Sequence, residues 1–188
     1  RVLMYHMITP HLPKNRSKFN RLRVTPEVFE KQLQWLHKHG WHAMSMAELS
    51  VCQNVPSKTV VLTFDDGYAD NYIHAFPLLK RYNMKATIYI VTERFNRDWA
   101  TDKDTKISSD ELNNEAMLSH EMVHEMVHSD LIDIGSHTMH HVNLPALSLE
   151  EKEKEIAKSK ELIEKHYGIT CKSFAYPFGF YDQSSVSL

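Results

Sequence analysis

TVVLTFDDGY, residues 59–68, runs through six apolar or β-branched positions and stops at two adjacent carboxylates and a glycine. A strand with one face in water alternates polar and apolar residues; one that does not alternate is covered on both faces. The same texture recurs in VLMY (2–5), WHAMSM (41–46), ATIYIV (86–91), LIDIG (131–135) and SFAYP (173–177). Helical segments separate these runs, so the expected class is α/β with parallel strands, either an open doubly wound sheet or a (β/α) barrel.

The intervening segments carry helix punctuation. TPEVFEKQLQWLHKHG opens on Thr25-Pro26 and closes on Gly40. The segment 68–82 places Phe76, Leu78 and Leu79 on a core side, with Pro77 expected to end or kink it. SLEEKEKEIAKSKELIEKHYG begins with a capping box, Ser148 and Glu151, and ends on Gly168. Its charge run is expected to be a solvated face, with Ile156, Leu162 and Ile163 as the core stripe. Residues 92–119 are the least regular and are expected to be a long polar excursion leading into a helix.

With 188 residues, 42% apolar and 24% charged, the chain suits one soluble domain spanning 1–188. The formal net charge of −2 argues against a protein that neutralises nucleic-acid phosphates. No apolar run approaches the ~18 residues of a membrane span. Cys52 and Cys171 are too few to form a disulfide framework. The chain begins at Arg1 rather than Met, so a preceding segment is expected to have been removed; nothing in the sequence marks it as a signal peptide.

In both candidate architectures chemistry gathers at the C-terminal ends of the strands. Four constellations lie there. Asp65 and Asp66 end the run at 59–64; adjacent aspartates are common in turns, but a neighbouring cation would also explain the pair. His137 and His141, in LIDIGSHTMHH, are four apart and on a helical turn would share one face and one metal. Two histidines and a carboxylate make an open zinc site with room for water. SFAYPFG ends in a turn through Tyr176, Pro177 and Phe178 whose backbone N–H groups could meet an oxyanion. His6 closes the first run and is a candidate proton donor. Phe64, Tyr68, Tyr176, Phe178 and Tyr181 fall near the same edge, where they would serve either the core or a sugar ring.

The most conspicuous zinc pattern lies elsewhere. SHEMVHEMVH (119–128) spells H-E-x-x-H twice, through His120, Glu121 and His124 and through His124, Glu125 and His128. On a helical wheel these residues form one arc, and Leu118, Met122, Val123, Met126 and Val127 form the opposite one. That is the pattern of an amphipathic surface helix packed outside a strand, with no third ligand in place for a zinc protease.

TFDDGY, followed by SHTMHH and then AYPFG, resembles the polysaccharide deacetylases, the NodB-homology domain of carbohydrate esterase family 4. The resemblance covers nearly the whole chain. It implies a distorted (β/α) barrel of about seven strands and metal-dependent removal of acetyl groups from acetylated polysaccharide. By matched positions it makes Asp65 the base and Asp66, His137 and His141 the ligands of a divalent metal, zinc. The M-Y-H opening is similar to the poly-N-acetylglucosamine deacetylase branch, which makes His6 the general acid. An extracytoplasmic location is likewise implied only by the resemblance.

Two departures stand out. The family's third motif is R-x-P-[YF], and Ala175 occupies the arginine position. The chain also stops before the Leu-rich motif that carries a further histidine, so either the barrel is incomplete or His6 supplies the acid. These departures leave open a sugar-binding protein of the same fold without turnover.

Overall fold

Strands that are apolar on both faces need helices on one side and a filled interior on the other. A computed structural model describes residues 1–11, 18–94, 112 and 115–188. The first half of the chain forms β1 (Val2–Tyr5), β2 (Met7–Ile8), β3 (Arg23–Val24), α1 (Pro26–Lys38), β4 (His42–Met44), α2 (Met46–Val51) and β5 (Thr59–Phe64). There follow α3 (Phe76–Tyr82), β6 (Ala86–Ile90), α4 (His120–Val127), β7 (Ile132–Ser136), α5 (Leu149–Tyr167) and α6 (Gln183–Val186).

Every strand pairing is parallel, as continuous apolar runs require. All six residues of β5 are buried, and β5 is the centre of the five-stranded sheet. On one side it pairs with β1 in register Val2–Val61 to Tyr5–Phe64. On the other, β4 covers Thr59–Val61 and β6 takes over at Thr63 and Phe64. The sheet continues through β6 to β7. One neighbour replaced by another along a single side is the distortion expected of an irregular barrel. β2 and β3 form a separate pair.

α1 and α5 start where the sequence placed them, whereas WHAMSM (41–46) is not one strand: β4 ends at Met44 and Met46 opens α2. Thr25 caps α1, with Pro26 in its first turn, and Phe29, Leu33 and Leu36 are its buried face. Capping boxes start α2 at Ser45 and α5 at Ser148. Segment 68–82 is a five-residue π-helix, Asn71–Ala75, running into α3. Phe76 N–H reaches back five residues to Asn71 O, one position before the proline that has no N–H to give.

Three further expectations change. The run 173–177 is not a full strand: Phe174 makes a single parallel bridge to Ser136, held by Ser136 N–H to Ser173 O and Ala175 N–H to Ser136 O, before Pro177 turns the chain. The buried stripe of α5 is Lys152, Glu155, Ser159, Ile163 and Tyr167. Ile163 is the only member of the expected stripe in it; Ile156 and Leu162 are half-buried. The charged run is therefore not all solvated. Most of the expected excursion at 92–119 lies outside the described residues. Cys52 and Cys171 are free thiols, and no described helix is long and apolar enough to cross a membrane.

Candidate metal centre and cleft

The parallel strands bring Tyr5, Phe64, Ile90 and Ser136 to one edge of the sheet, and the polar residues that follow them meet there. After β5 the chain turns through two left-handed residues, Asp66 at φ +77° and Gly67 at φ +79°. Aspartate tolerates that region better than most residues, and a glycine follows it because a Cβ at 67 would sit 3.2 Å from Ile90 Cγ2. Asp65 N–H donates to Tyr5 O at 3.0 Å, so the catalytic candidate is pinned to the neighbouring strand.

His137 and His141 do not share a helical turn. Thr138 at φ +68° and His141 at φ +58° make a left-handed loop instead, and this loop folds His141 back beside His137. Their rings lie 5.0 Å apart, and Asp66 Oδ1 is 3.4 Å from His137 Nε2 and 3.3 Å from His141 Nε2. Asp66, His137 and His141 offer ligand atoms all within 4.8 Å of one another, the only such group among the described residues.

The donor chemistry fits a cation. His137 Nδ1 is 2.8 Å from Ala175 O, so it carries the hydrogen and leaves the lone pair on Nε2 when the ring is neutral. That lone pair faces Asp66 Oδ1, which is buried and outside hydrogen-bond geometry with either imidazole. Lone pairs converging in a buried site are favourable only around a positive charge. Burial alone would raise Asp66, but His141 and His137 together outweigh it and hold its carboxyl well below the usual range. Burial pushes the His141 imidazole toward its neutral, ligating form. Burial raises Asp65, with Asp66 adding to the rise, while His137 and His6 oppose it. Adjacent carboxylates are thus driven apart, one fixed as an anion and the other kept basic.

These groups line a cleft of about 990 Å³, together with His6, Tyr176 and Phe178. The amide of Asn71 donates to His6 O at 2.7 Å, which ties the His6 backbone to the π-helix. Pro177 is buried and starts a 3-10 turn; Phe178, at φ +60°, meets the His141 ring edge to face, with the ring centres 4.5 Å apart. Of the aromatic candidates, Phe64 is fully buried in the core and Tyr181 is exposed outside the cleft. Tyr68 lines the cleft, though it is 1% exposed.

The double H-E-x-x-H helix takes no part. α4 buries Val123 and Met126, His124 and His128 are exposed, and Glu125 accepts a hydrogen bond from Tyr72. His120 Nδ1 lies 2.8 Å from the hydroxyl of Tyr167 on α5. One cleft group and one group behind the ligand loop carry little signal in the sequence. Arg94 is buried, lines the cleft and reaches His140 O at 3.4 Å; its one signal is a charge just past the end of a buried strand. Glu155 was hidden in the charge run of α5.

Residues 52–188 match the family described as polysaccharide deacetylase. The chain belongs to the polysaccharide deacetylase family. YxkH of Bacillus subtilis (strain 168) is 33% identical over 98% of this chain and 58% of its own length. A Staphylococcus epidermidis poly-beta-1,6-N-acetyl-D-glucosamine N-deacetylase is 27% identical over 98% of this chain and 66% of its own. The chain thus spans less than two thirds of these curated relatives. Streptococcus pyogenes deacetylase PplD, solved in complex with acetate, superposes with a TM-score of 0.80 at 28% identity, covering 99% of this chain and 76% of that one. The deacetylase fold expected from TFDDGY and SHTMHH is the fold of this chain.

Proposed function

We propose that residues 1–188 form one catalytic domain of a metal-dependent deacetylase that removes N-acetyl groups from a polysaccharide containing N-acetylglucosamine. The observation that carries this is the juxtaposition in one cleft of a buried carboxylate–imidazole–imidazole donor set and a second carboxylate, Asp65. Asp66, His137 and His141 would hold the ion. A divalent cation there, zinc by the donor set, supplies Lewis acidity to the acetamide carbonyl and acidifies water.

The chain's own groups do the rest. Asp65 accepts the proton of water as its oxygen attacks the acetyl carbonyl carbon. The backbone at Tyr176–Phe178 flanks the developing oxyanion. His6, as imidazolium, gives its proton to the nitrogen as the C–N bond breaks, and acetate and a free amine leave. Tyr176 and Phe178 offer ring surface to the sugar at the mouth of the cleft.

The substrate class follows the S. epidermidis relative, whose name specifies poly-beta-1,6-N-acetyl-D-glucosamine. An extracytoplasmic site of action follows from such a polymer. The test is acetate release from β-1,6-linked N-acetylglucosamine oligomers, with and without chelator. Release that stops on chelation and returns with zinc is expected. Oligomer binding without release would support the sugar-binding alternative, and neither binding nor release would overturn the proposal.

A further inference from the structure

The loop from Ser136 to His141 holds two left-handed residues, neither of them glycine, and one of them is a β-branched threonine. Such a conformation persists only when its surroundings fix it. What fixes it can be traced bond by bond. His137 N–H donates to Ile90 O, and the amides of Thr92 and Glu93 donate to the carbonyls of Thr138 and Met139 at 3.3 and 3.0 Å. His141 N–H takes Thr138 Oγ1 at 2.9 Å.

The two amides at the crest of the loop go elsewhere. Met139 N–H and His140 N–H both donate to one oxygen, Oε2 of Glu155, at 3.0 and 3.1 Å. The other oxygen, Oε1, lies 2.7 Å from His140 Nδ1. Glu155 is 9% exposed on α5, one helical turn from Ser159, whose hydroxyl lies 2.6 Å from that of Ser136. One face of α5 therefore grips the loop at both ends, just before His137 and just before His141. This accounts for a buried glutamate in the charge run of α5.

We propose that Glu155 is a positioning residue for the metal: its carboxylate clamps the loop backbone and so sets the separation of His137 and His141. This rests on those two histidines being ligands, as proposed above. Outer-shell groups of this kind affect metal affinity by about 10- to 100-fold. Removing the clamp frees His141 to leave His137 without touching either ligand.

The test is cobalt(II) titration of the metal-stripped protein, read by its visible d–d spectrum, with zinc competition and apo-protein thermal melts alongside. Glu155→Ala should weaken cobalt binding by about 10-fold or more and change the band shape. Glu155→Gln, which keeps an acceptor for the two amides, should stay folded and fall between wild type and Glu155→Ala. His140→Ala loses the imidazole contact but keeps both backbone bonds, and should remain within about threefold of wild type. Wild-type affinity and spectrum in a folded Glu155→Gln and Glu155→Ala would overturn the clamp, as would a His140→Ala loss equal to that of Glu155→Ala. A lowered melting temperature with unchanged cobalt affinity would mark Glu155 as merely structural and also overturn it. A wild-type protein that takes up no cobalt or zinc would overturn the metal site itself, and the clamp with it.

Discussion

His137 donates its Nδ1 hydrogen to the backbone carbonyl of Ala175, 2.8 Å away. The position where the family carries arginine thus acts on the site through its main chain, and the orientation of the imidazole does not depend on the side chain there. Ala175→Ser and Ala175→Gly are expected to keep zinc affinity within about twofold of wild type, measured by competition with a chromophoric chelator. His137→Ala should abolish it. A tenfold loss in Ala175→Ser would show that the side chain, not the carbonyl, does the orienting.

Asp65 and Asp66 are neighbours with opposite tasks, and one substitution separates them. Asp65→Asn should lower kcat by about 10²- to 10⁴-fold, the usual range for a general base, while zinc still binds. Because burial raises the Asp65 pKa, the rate should rise with pH through a value above the ordinary carboxylate range. The metal-free variant should also melt no lower than wild type at neutral pH. Folding disfavours the ionised Asp65, so its contribution to stability fades as pH rises past the unfolded pKa. Loss of zinc in Asp65→Asn would contradict this division of labour.

The sheet was legible because buried parallel strands leave an apolar run: TVVLTF coincides with β5, buried at all six positions. VLMY coincides with β1, although Val2, Leu3 and Met4 are exposed, so its apolar run marked a strand but not one covered on both faces. The capping boxes at Ser45 and Ser148 fix helix starts by a local bond, so α5 began where the sequence said. The pairing of His137 with His141 was expected from their spacing, yet for the wrong local reason, and the choice of Asp66 over Asp65 came from the family resemblance alone. The ligand loop is left-handed, and no spacing rule reports positive φ at a threonine. Glu155 was invisible because its partner is the backbone of a loop 16 residues earlier, while its neighbours in the charge run are solvated. The H-E-x-x-H repeat misleads for the converse reason: the spelling is local, but a site needs ligands from elsewhere.

Asp70 gives the fold a pH dependence separate from the reaction. Burial pushes its carboxyl up to about 7, with Glu115 adding to the rise and Ile8 N–H, Arg23 and Asn71 opposing it. A raised carboxyl pKa means that the fold prefers the protonated form. Its contribution is complete below about pH 4 and is lost as pH climbs from there to about 7. At 1.36 kcal/mol per unit the loss is on the order of 4 kcal/mol. Asp70→Asn keeps an acceptor for Asn71 and Ile8 and should therefore stabilise the protein by a few kcal/mol at pH 8 but hardly at pH 4. Urea melts of both proteins at the two pH values measure it, and equal gains at both would refute the assignment.

Gly135, two residues before His137, lies under the ring of Tyr89. A Cβ there would come within 2.4 Å of Tyr89 Cδ1 and Cε1 and within 2.7 Å of Ser173 Oγ. Tyr89 is 4% exposed, and residues 135 and 89 are register partners across β6 and β7, so the ring has nowhere to retreat without parting the strands. Overpacking of this kind costs roughly 1–3 kcal/mol. Gly135→Ala should lower the urea midpoint accordingly. Zinc affinity should fall with it, because β7 delivers both Ser136 and His137 to the edge. Gly135→Ala combined with Tyr89→Phe still meets the ring and should recover little, whereas Gly135→Ala with Tyr89→Leu should recover part of the stability. Full stability of the single Gly135→Ala variant would mean that the Tyr89 ring is not fixed where the close approach requires it.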